Sequence, residues 1–207
     1  LEKGDYKVAA ETLTAAQRFE ESDPRIPYLL ARAWESKDPE KASEAITTAI
    51  GMNSKHVPSL VYQADAAIDR ELYSKADELL RRVLAINVHQ QEAWALLAVI
   101  AHLKGQFERE ALLHAAGLST WADNPAVDHL IGKKLSQKYR FEEGAEYQRK
   151  ALELDPKYVA ARFQLAQDLL RLGNEDVGWE VARLAAEQDE YNVVASNLMT
   201  LRERIKG

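Results

Sequence analysis

The segment 125–158 shows the pattern of apolar and polar positions that the rest of the chain repeats. Its apolar residues fall at helical spacing in two blocks, one containing Ile131 and Leu135 and one covering 147–154. Pro156 closes the segment, because proline cannot continue a helix. The pattern predicts two helices joined by a turn. Such a hairpin cannot bury its apolar face alone, so the chain needs further copies of it.

Small side chains recur along the chain at intervals of 34 residues. Three series of positions with this spacing are filled almost entirely by small or short residues. They are Ala49, Val83, Gly117, Ala151 and Ala185; Leu30, Ala64, Ala98, Gly132 and Ala166; and Ala42, Ala76, Gly144 and Gly178, with Glu110 as the exception in the last series. Small residues in step allow backbones to approach closely at the same place in every hairpin. This is typical of a stacked repeat array.

The period divides the chain into a half repeat, five full repeats and a last helix. The boundaries are 1–22 for the half repeat, 23–56, 57–90, 91–124, 125–158 and 159–192 for the full repeats, and 193–207 for the terminal helix. We predict an all-α protein of about twelve helices that forms a single solenoid over residues 1–207, since an array of this kind grows by addition.

The repeats resemble the tetratricopeptide repeat (TPR) family, whose signature is W-x2-L-G-x2-Y…A-x3-F…P. The matching residues are Trp94, Leu97 and Ala98; Ile131, Gly132 and Leu135; Leu165, Ala166 and Leu169; Ala42 and Ile46; Ala76 and Leu80; and Pro156. The departures are Asp128 and Arg162 at Trp positions, and His114 and Gln148 at aromatic positions. The resemblance implies a right-handed superhelix of antiparallel helix pairs. It also places Gly4 and Asp5 in the turn of a repeat that lacks its first helix, so we expect a fragment of a longer protein.

Composition and charge remove several classes of function. The 207 residues include 46% hydrophobic residues and no cysteine, and the formal net charge is −6. The acidic balance argues against a nucleic-acid ligand, and the absence of cysteine excludes disulfides and thiolate metal sites. The sequence has no apolar run long enough to span a membrane. The compartment stays undetermined, with the cytoplasm slightly favoured over the periplasm.

No pattern of residues predicts catalysis or a cofactor. The histidines lie outside metal-binding spacings; they are His56, His89, His102, His114 and His129. His114 falls at a packing position, so we expect a structural histidine that is at least half-buried. The chain has no glycine-rich phosphate loop, and its carboxylates are scattered. We therefore predict that the chain is not an enzyme and holds no cofactor or metal.

The resemblance also implies that the first helix of each repeat lines a concave face. On this face we predict a peptide-binding site made of Trp34, Val61, Asp65, Ile68, Val99, His102, His129, Lys133, Phe163, Gln167 and Leu170. Exposed apolar side chains in a concave site are typical of binding, and we expect Trp34 and Phe163 to be the anchors. The alternative for the apolar members is that they pack under neighbouring side chains. The lysine and asparagine clamp that some family members use for a terminal carboxylate is absent.

These observations predict a protein-interaction scaffold that binds a protein or peptide segment. A second hypothesis makes the chain the non-catalytic arm of a larger enzyme. The segment 191–198 resembles the end of repeat arrays in bacterial proteins that continue into a zinc peptidase domain, which would place a metal site beyond Gly207. We expect a monomer, with end-to-end stacking of chains as the alternative.

Overall fold

The structure, a computed structural model, describes residues 6–20, 22–189 and 193–206. Within these ranges it contains twelve α-helices and no β-strand. The helices are α1 Tyr6–Gln17, α2 Arg25–Trp34, α3 Pro39–Met52, α4 Val57–Asp69, α5 Tyr73–Ile86, α6 Gln91–Leu103, α7 Phe107–Leu118, α8 Pro125–Gln137, α9 Phe141–Leu154, α10 Val159–Arg171, α11 Glu175–Gln188 and α12 Val193–Lys206. The predicted all-α class is confirmed. Gly4 and Asp5, which the sequence analysis places in a turn, lie outside the described residues.

The helices begin in step along the chain. Helices α4, α6, α8, α10 and α12 begin at Val57, Gln91, Pro125, Val159 and Val193, each 34 residues after the one before. Helices α3, α5, α7, α9 and α11 begin at Pro39, Tyr73, Phe107, Phe141 and Glu175, at the same interval. The turn after each of α4, α6, α8 and α10 carries one residue with a positive φ; these residues are Glu71, Gly105, Tyr139 and Gly173. Four successive hairpins therefore share one turn geometry.

Local sequence explains where some of these helices begin. Asp38 precedes α3, and its side chain accepts a hydrogen bond from the Lys41 amide at 3.1 Å. Asn124 precedes α8 and accepts a hydrogen bond from the Ala126 amide, also at 3.1 Å. Both helices have proline in the first turn. Proline there loses no helical hydrogen bond, and the capping side chain satisfies an amide that otherwise lacks a partner.

The chain divides into two compact units, and the division falls inside α6 between Ala93 and Trp94. In the first unit, α2 packs against α1 and α3, and α4 packs against α3 and α5. Its core contains a cluster of buried side chains from α2 and α3: Ile26, Leu30, Ala31, Ala42, Ala45 and Ile46. Trp34 and Tyr62 pack against this cluster while keeping part of their surface exposed.

In the second unit, α8 packs against α7, α9 and α10, α10 packs against α9 and α11, and α12 packs against α11. Helices α8 and α9 approach most closely at two glycines. A Cβ added to Gly132 would lie 2.7 Å from the carbonyl oxygen of Gly144, and a Cβ added to Gly144 would lie 2.1 Å from Oγ of Ser136. These distances leave no room for a methyl group, so the glycines hold the two helices in backbone contact.

Candidate functional site

Three apolar members of the predicted peptide-binding face are core residues. Val61 is 4% exposed, and Ile68 and Val99 have no exposed surface. Val99 belongs to the run 95–101 of α6, in which every residue is buried. A side chain that is already buried offers no surface to a peptide, so the structure corrects the assignment of these three residues. For them the alternative stated from the sequence, packing under neighbouring side chains, describes the structure.

The first unit holds two further members of the predicted face, Trp34 and Asp65. Trp34 is half-buried against the α2 and α3 cluster, so its ring takes part in the packing. Asp65 lines a cavity of about 250 Å³ together with Glu35, Tyr62 and Lys75. Burial and the nearby Glu35 carboxylate raise the pKa of Tyr62 to about 12, so its phenol stays protonated. Charges of both signs line this cavity, and they favour no single ligand chemistry.

The histidines and the lysine of the predicted face lie in different environments. His129 Nδ1 lies 2.8 Å from Oε1 of Gln148, in a hydrogen bond between α8 and α9. Burial lowers the pKa of His129, which favours the neutral ring in that bond. His102 Nδ1 lies 3.0 Å from Oε2 of Glu110. Lys133 is exposed. The two histidines therefore serve packing within the second unit, and Lys133 is open to solvent.

Residues that depart from the repeat signature compensate one another in the second unit. His114 Nε2 lies 2.9 Å from Oδ1 of Asp128, which is buried at a Trp position of the next repeat. Glu110, the exception in a series of small residues, accepts a hydrogen bond from the hydroxyl of Tyr147. The rings of His114 and Tyr147 meet edge-on with centroids 5.8 Å apart. Pairing of this kind is what allows polar groups in a core. The prediction of a structural, half-buried His114 is confirmed.

A cavity of about 460 Å³ lies beside α10 in the second unit. We call it the α10 cavity; it is lined by Ser136, Gln137, Tyr139, Phe141, Gln164, Gln167, Asp168, Leu170, Arg171 and Leu198. The structure thereby brings together Gln167 and Leu170, two members of the predicted face. Phe163, an expected anchor, is half-buried and is not among the lining residues.

One carboxylate that lines the α10 cavity is buried. Asp168 is 1% exposed; its Oδ1 accepts a hydrogen bond from Gln164 Nε2 at 3.0 Å, and its Oδ2 accepts one from the Ser136 hydroxyl at 2.9 Å. Among the residues that the structure describes, no cation lies within ion-pair distance of it. Burial raises the pKa of Asp168 to about 6, while the two hydrogen bonds and the charge of Arg171 act in the opposite direction. At neutral pH the cavity therefore holds a buried anion that no described residue pairs with as a counter-ion.

The Ser136 hydroxyl has one hydrogen and two acceptors. Its Oγ lies 2.9 Å from the carbonyl oxygen of Gly132 and 2.9 Å from Oδ2 of Asp168. A single hydrogen cannot serve both acceptors fully. If Asp168 is protonated, its own hydroxyl can donate to Ser136 Oγ while Ser136 donates to Gly132. The ionised form is therefore short of one donor.

Two aromatic rings and a guanidinium line another part of the α10 cavity. Tyr139 is 80% exposed and meets Phe141 edge-on, with ring centroids 6.0 Å apart. The guanidinium carbon of Arg171 lies 5.9 Å from the Phe141 ring centroid. Tyr139 has a φ of 62°, a left-handed conformation that costs a non-glycine residue about 1–2 kcal/mol. Gly105, Gly173 and Glu71 occupy the equivalent positions. An exposed aromatic residue held where glycine would be relaxed is typical of a functional position.

Sequence reasoning missed several of these residues. Gln164, Asp168 and Arg171 lie on α10 at positions that the resemblance does not assign to the concave face. Tyr139 did leave a signal in the sequence, because the repeat period aligns it with two glycines and Glu71. Asp168 left none, since its burial depends on how α8 and α10 pack.

The described residues offer neither a cluster of metal ligands nor a membrane-spanning helix. No group of three or more His, Asp or Glu side chains within them is placed to hold a metal ion. Within the same ranges, no helix combines the length and the apolar composition needed to cross a membrane.

Comparison with known proteins gives matches among solved structures only. No protein-family model matches the sequence, and no curated protein matches it. A thermophilic TPR protein of Thermus thermophilus matches with a TM-score of 0.62 and 20% identity, over 81% of this chain and 92% of that chain. PilW, a widely conserved type IV pilus biogenesis factor, matches with a TM-score of 0.60 and 13% identity, over 94% and 91%. YrrB, a TPR protein with an unusual peptide-binding site, matches with a TM-score of 0.51 and 15% identity, over 93% and 100%.

These likenesses, together with helices that begin at a constant interval, show that the chain has the tetratricopeptide-repeat fold. At identities of 13–20% the comparison shows the fold and carries no function across to this chain. A function has to be argued from the site itself.

Proposed function

We propose that this chain is a non-catalytic scaffold that binds a peptide or protein segment. The segment would lie on the face that the first helix of each repeat is expected to line, with the α10 cavity as the main contact site. The observation that carries the proposal is this cavity, in which mostly polar side chains able to hydrogen-bond a ligand are joined by the apolar surface of Phe141, Leu170 and Leu198. The matched structure described as a TPR protein with an unusual peptide-binding site supports peptide binding as a use of the fold.

Four members of the predicted face, together with Tyr139, form the proposed contact surface in the second unit. Leu170 supplies apolar surface inside the cavity, and the Gln167 amide can hydrogen-bond the backbone of an extended segment. Tyr139 adds a large, exposed ring that loses little conformational entropy on binding. Phe163 and Lys133 extend the surface along α10 and α8.

No reaction is part of this proposal. Asp168 is hydrogen-bonded to Gln164 and Ser136, and Ser136 is also bonded to a backbone carbonyl. These three side chains therefore do not form a pair of general base and oriented nucleophile. The hypothesis of a larger enzyme draws no support from the matched structures. Residues 191 and 192 of the segment that suggested it lie outside the described residues. If chains stack end to end, light scattering at high protein concentration would give a mass above that of one chain.

Site-specific photo-crosslinking tests the proposed surface. The photoreactive residue p-benzoylphenylalanine is placed at Tyr139, or at Glu71 as a matched control, because both are exposed positions with positive φ in equivalent turns. After irradiation in an extract of the cells that make the protein, we expect a discrete adduct from position 139 only. Adding Gln167→Trp, which fills the α10 cavity, should suppress that adduct. Equal adducts at both positions, or an adduct unaffected by the filled cavity, would refute the assignment.

A further inference from the structure

The α10 cavity carries information about the chemistry of the segment that it would bind, and this inference rests on the proposed scaffold function. We propose that the cavity receives a cationic side chain, lysine or arginine, of the partner segment, which pairs with the Asp168 carboxylate. The occupant is thus a basic peptide segment. This ligand differs from the terminal carboxylate whose clamp is absent from this chain.

The first reason is the missing hydrogen-bond donor at Asp168. Its Oδ2 shares the single hydrogen of Ser136 with the Gly132 carbonyl oxygen, at 2.9 Å for each contact. An incoming ammonium or guanidinium brings several N–H donors. It can donate to Oδ2 and leave the Ser136 hydrogen to Gly132. The part of the chain that the structure describes does not complete this site, and a cation from outside completes it.

The second reason is the missing counter-ion. A buried carboxylate is retained in proteins when it is paired with a cation or given enough donors. Among the described residues, one cation lines the cavity. It is Arg171, whose guanidinium lies over the Phe141 ring, 5.9 Å from the centroid, and makes no ion pair with Asp168. Asp168 therefore keeps its charge available within a cavity that has space for a side chain.

The third reason is the apolar and aromatic lining. The methylene stem of lysine or arginine needs apolar surface, which Leu170 and Leu198 provide. The exposed Tyr139 ring offers a face to a cation near the cavity. The net charge of −6 favours the approach of a basic segment as well.

Arg171 also lines the cavity, and its charge would suit an acidic ligand instead of a basic one. An experiment can distinguish these two ligand assignments. If the ligand were acidic, Arg171 would bind it and Asp168 would repel it. If the ligand is basic, Asp168 binds it and Arg171 weakens the binding by like-charge repulsion. Replacing each residue by its neutral counterpart therefore gives opposite results under the two assignments.

The test is an NMR titration of the ¹⁵N-labelled protein with n-butylammonium chloride, which mimics the end of a lysine side chain. Sodium butyrate, n-butanol and sodium chloride serve as the anionic, neutral and salt controls. The proteins compared are the unmodified chain, Asp168→Asn, Arg171→Gln and Asp176→Asn. The last variant removes an exposed carboxylate of α11 that does not line the cavity, and so it controls for net charge.

We expect n-butylammonium to shift the amide signals around Ser136, Gln164 and Gln167 in a saturable way. Asp168→Asn should weaken this binding about tenfold or more, the effect of losing a hydrogen bond to a charged group. Arg171→Gln should strengthen binding, and Asp176→Asn should leave it unchanged. Unchanged affinity in Asp168→Asn, shifts no different from those with sodium chloride, or binding of butyrate that Arg171→Gln abolishes would each overturn the proposal. If one of these outcomes is found while the photo-crosslinked adduct at Tyr139 still forms, the proposed scaffold function stands and only the cationic ligand is refuted.

Discussion

Replacing Asp168 by asparagine should make the second unit more stable at neutral pH. Asparagine reproduces the hydrogen-bond pattern of the protonated acid. Its amide can donate to Ser136 Oγ, its carbonyl oxygen can accept from Gln164, and Ser136 remains bonded to Gly132. The variant therefore removes a buried charge and keeps the hydrogen bonds to Ser136 and Gln164.

The size of the effect follows from the pKa of Asp168, which rises from its ordinary value of 3.8 to about 6 on folding. This difference corresponds to about 3 kcal/mol of unfolding free energy at neutral pH. The folded chain binds the proton more tightly than the unfolded chain. Its contribution is therefore fully present below pH 3.8 and is lost as the pH rises through about 6. The asparagine variant has no such titration.

Urea unfolding at a series of pH values measures this difference, and hydrogen exchange of the α8 and α10 amides reports the second unit directly. Subtracting the two unfolding free energies cancels the titration of all other carboxylates. We expect the advantage of the Asp168→Asn variant to grow by about 2 kcal/mol between pH 4 and pH 7, because part of the effect is already present at pH 4. A constant difference over this range, or a ¹³C carboxyl titration of Asp168 near pH 4, would refute the account of the site.

Three other predictions concern the packing of the repeats. Gly144→Ala should destabilise the protein by about 3 kcal/mol in urea unfolding, because an added Cβ would lie 3.0 Å from the α8 backbone. Gly51→Ala is the matched control. It should stabilise α3 by up to about 1 kcal/mol, since no atom lies within 4 Å of a Cβ added there. Tyr139→Gly should raise the unfolding free energy by about 1 kcal/mol, because glycine adopts the positive φ without strain, and it should lower the binding of the partner. A lower unfolding free energy would contradict the proposed backbone strain at Tyr139. Tyr147→Phe should cost about 1–3 kcal/mol, because it removes a donor from the buried Glu110, and an unchanged midpoint would dismiss that bond.

The hairpins and their interval were predictable because they depend on local sequence. Helix starts follow from capping side chains such as Asp38 and Asn124, which act on amides two or three residues away. Close helix contact follows from the glycines and alanines that return in step, as Gly132 and Gly144 show. A period is readable without knowing any distance in space, and so the all-α repeat class followed from it.

The candidate site was only partly predictable, because its contacts join residues far apart along the chain. Gln167 and Leu170 were reached through the resemblance, whereas Asp168 meets Ser136 across 32 residues. The burial of Val99 depends on what packs on every side of α6, and periodicity says nothing about that.

Sequence alone thus determined the fold class and the positions where helices start and touch. The tertiary structure decided which apolar face residues are core, which polar exceptions pair, and where a buried carboxylate has no counter-ion among the described residues. The physical reason is that secondary structure and close contacts follow from short-range patterns, whereas burial and charge pairing depend on groups that only folding brings together.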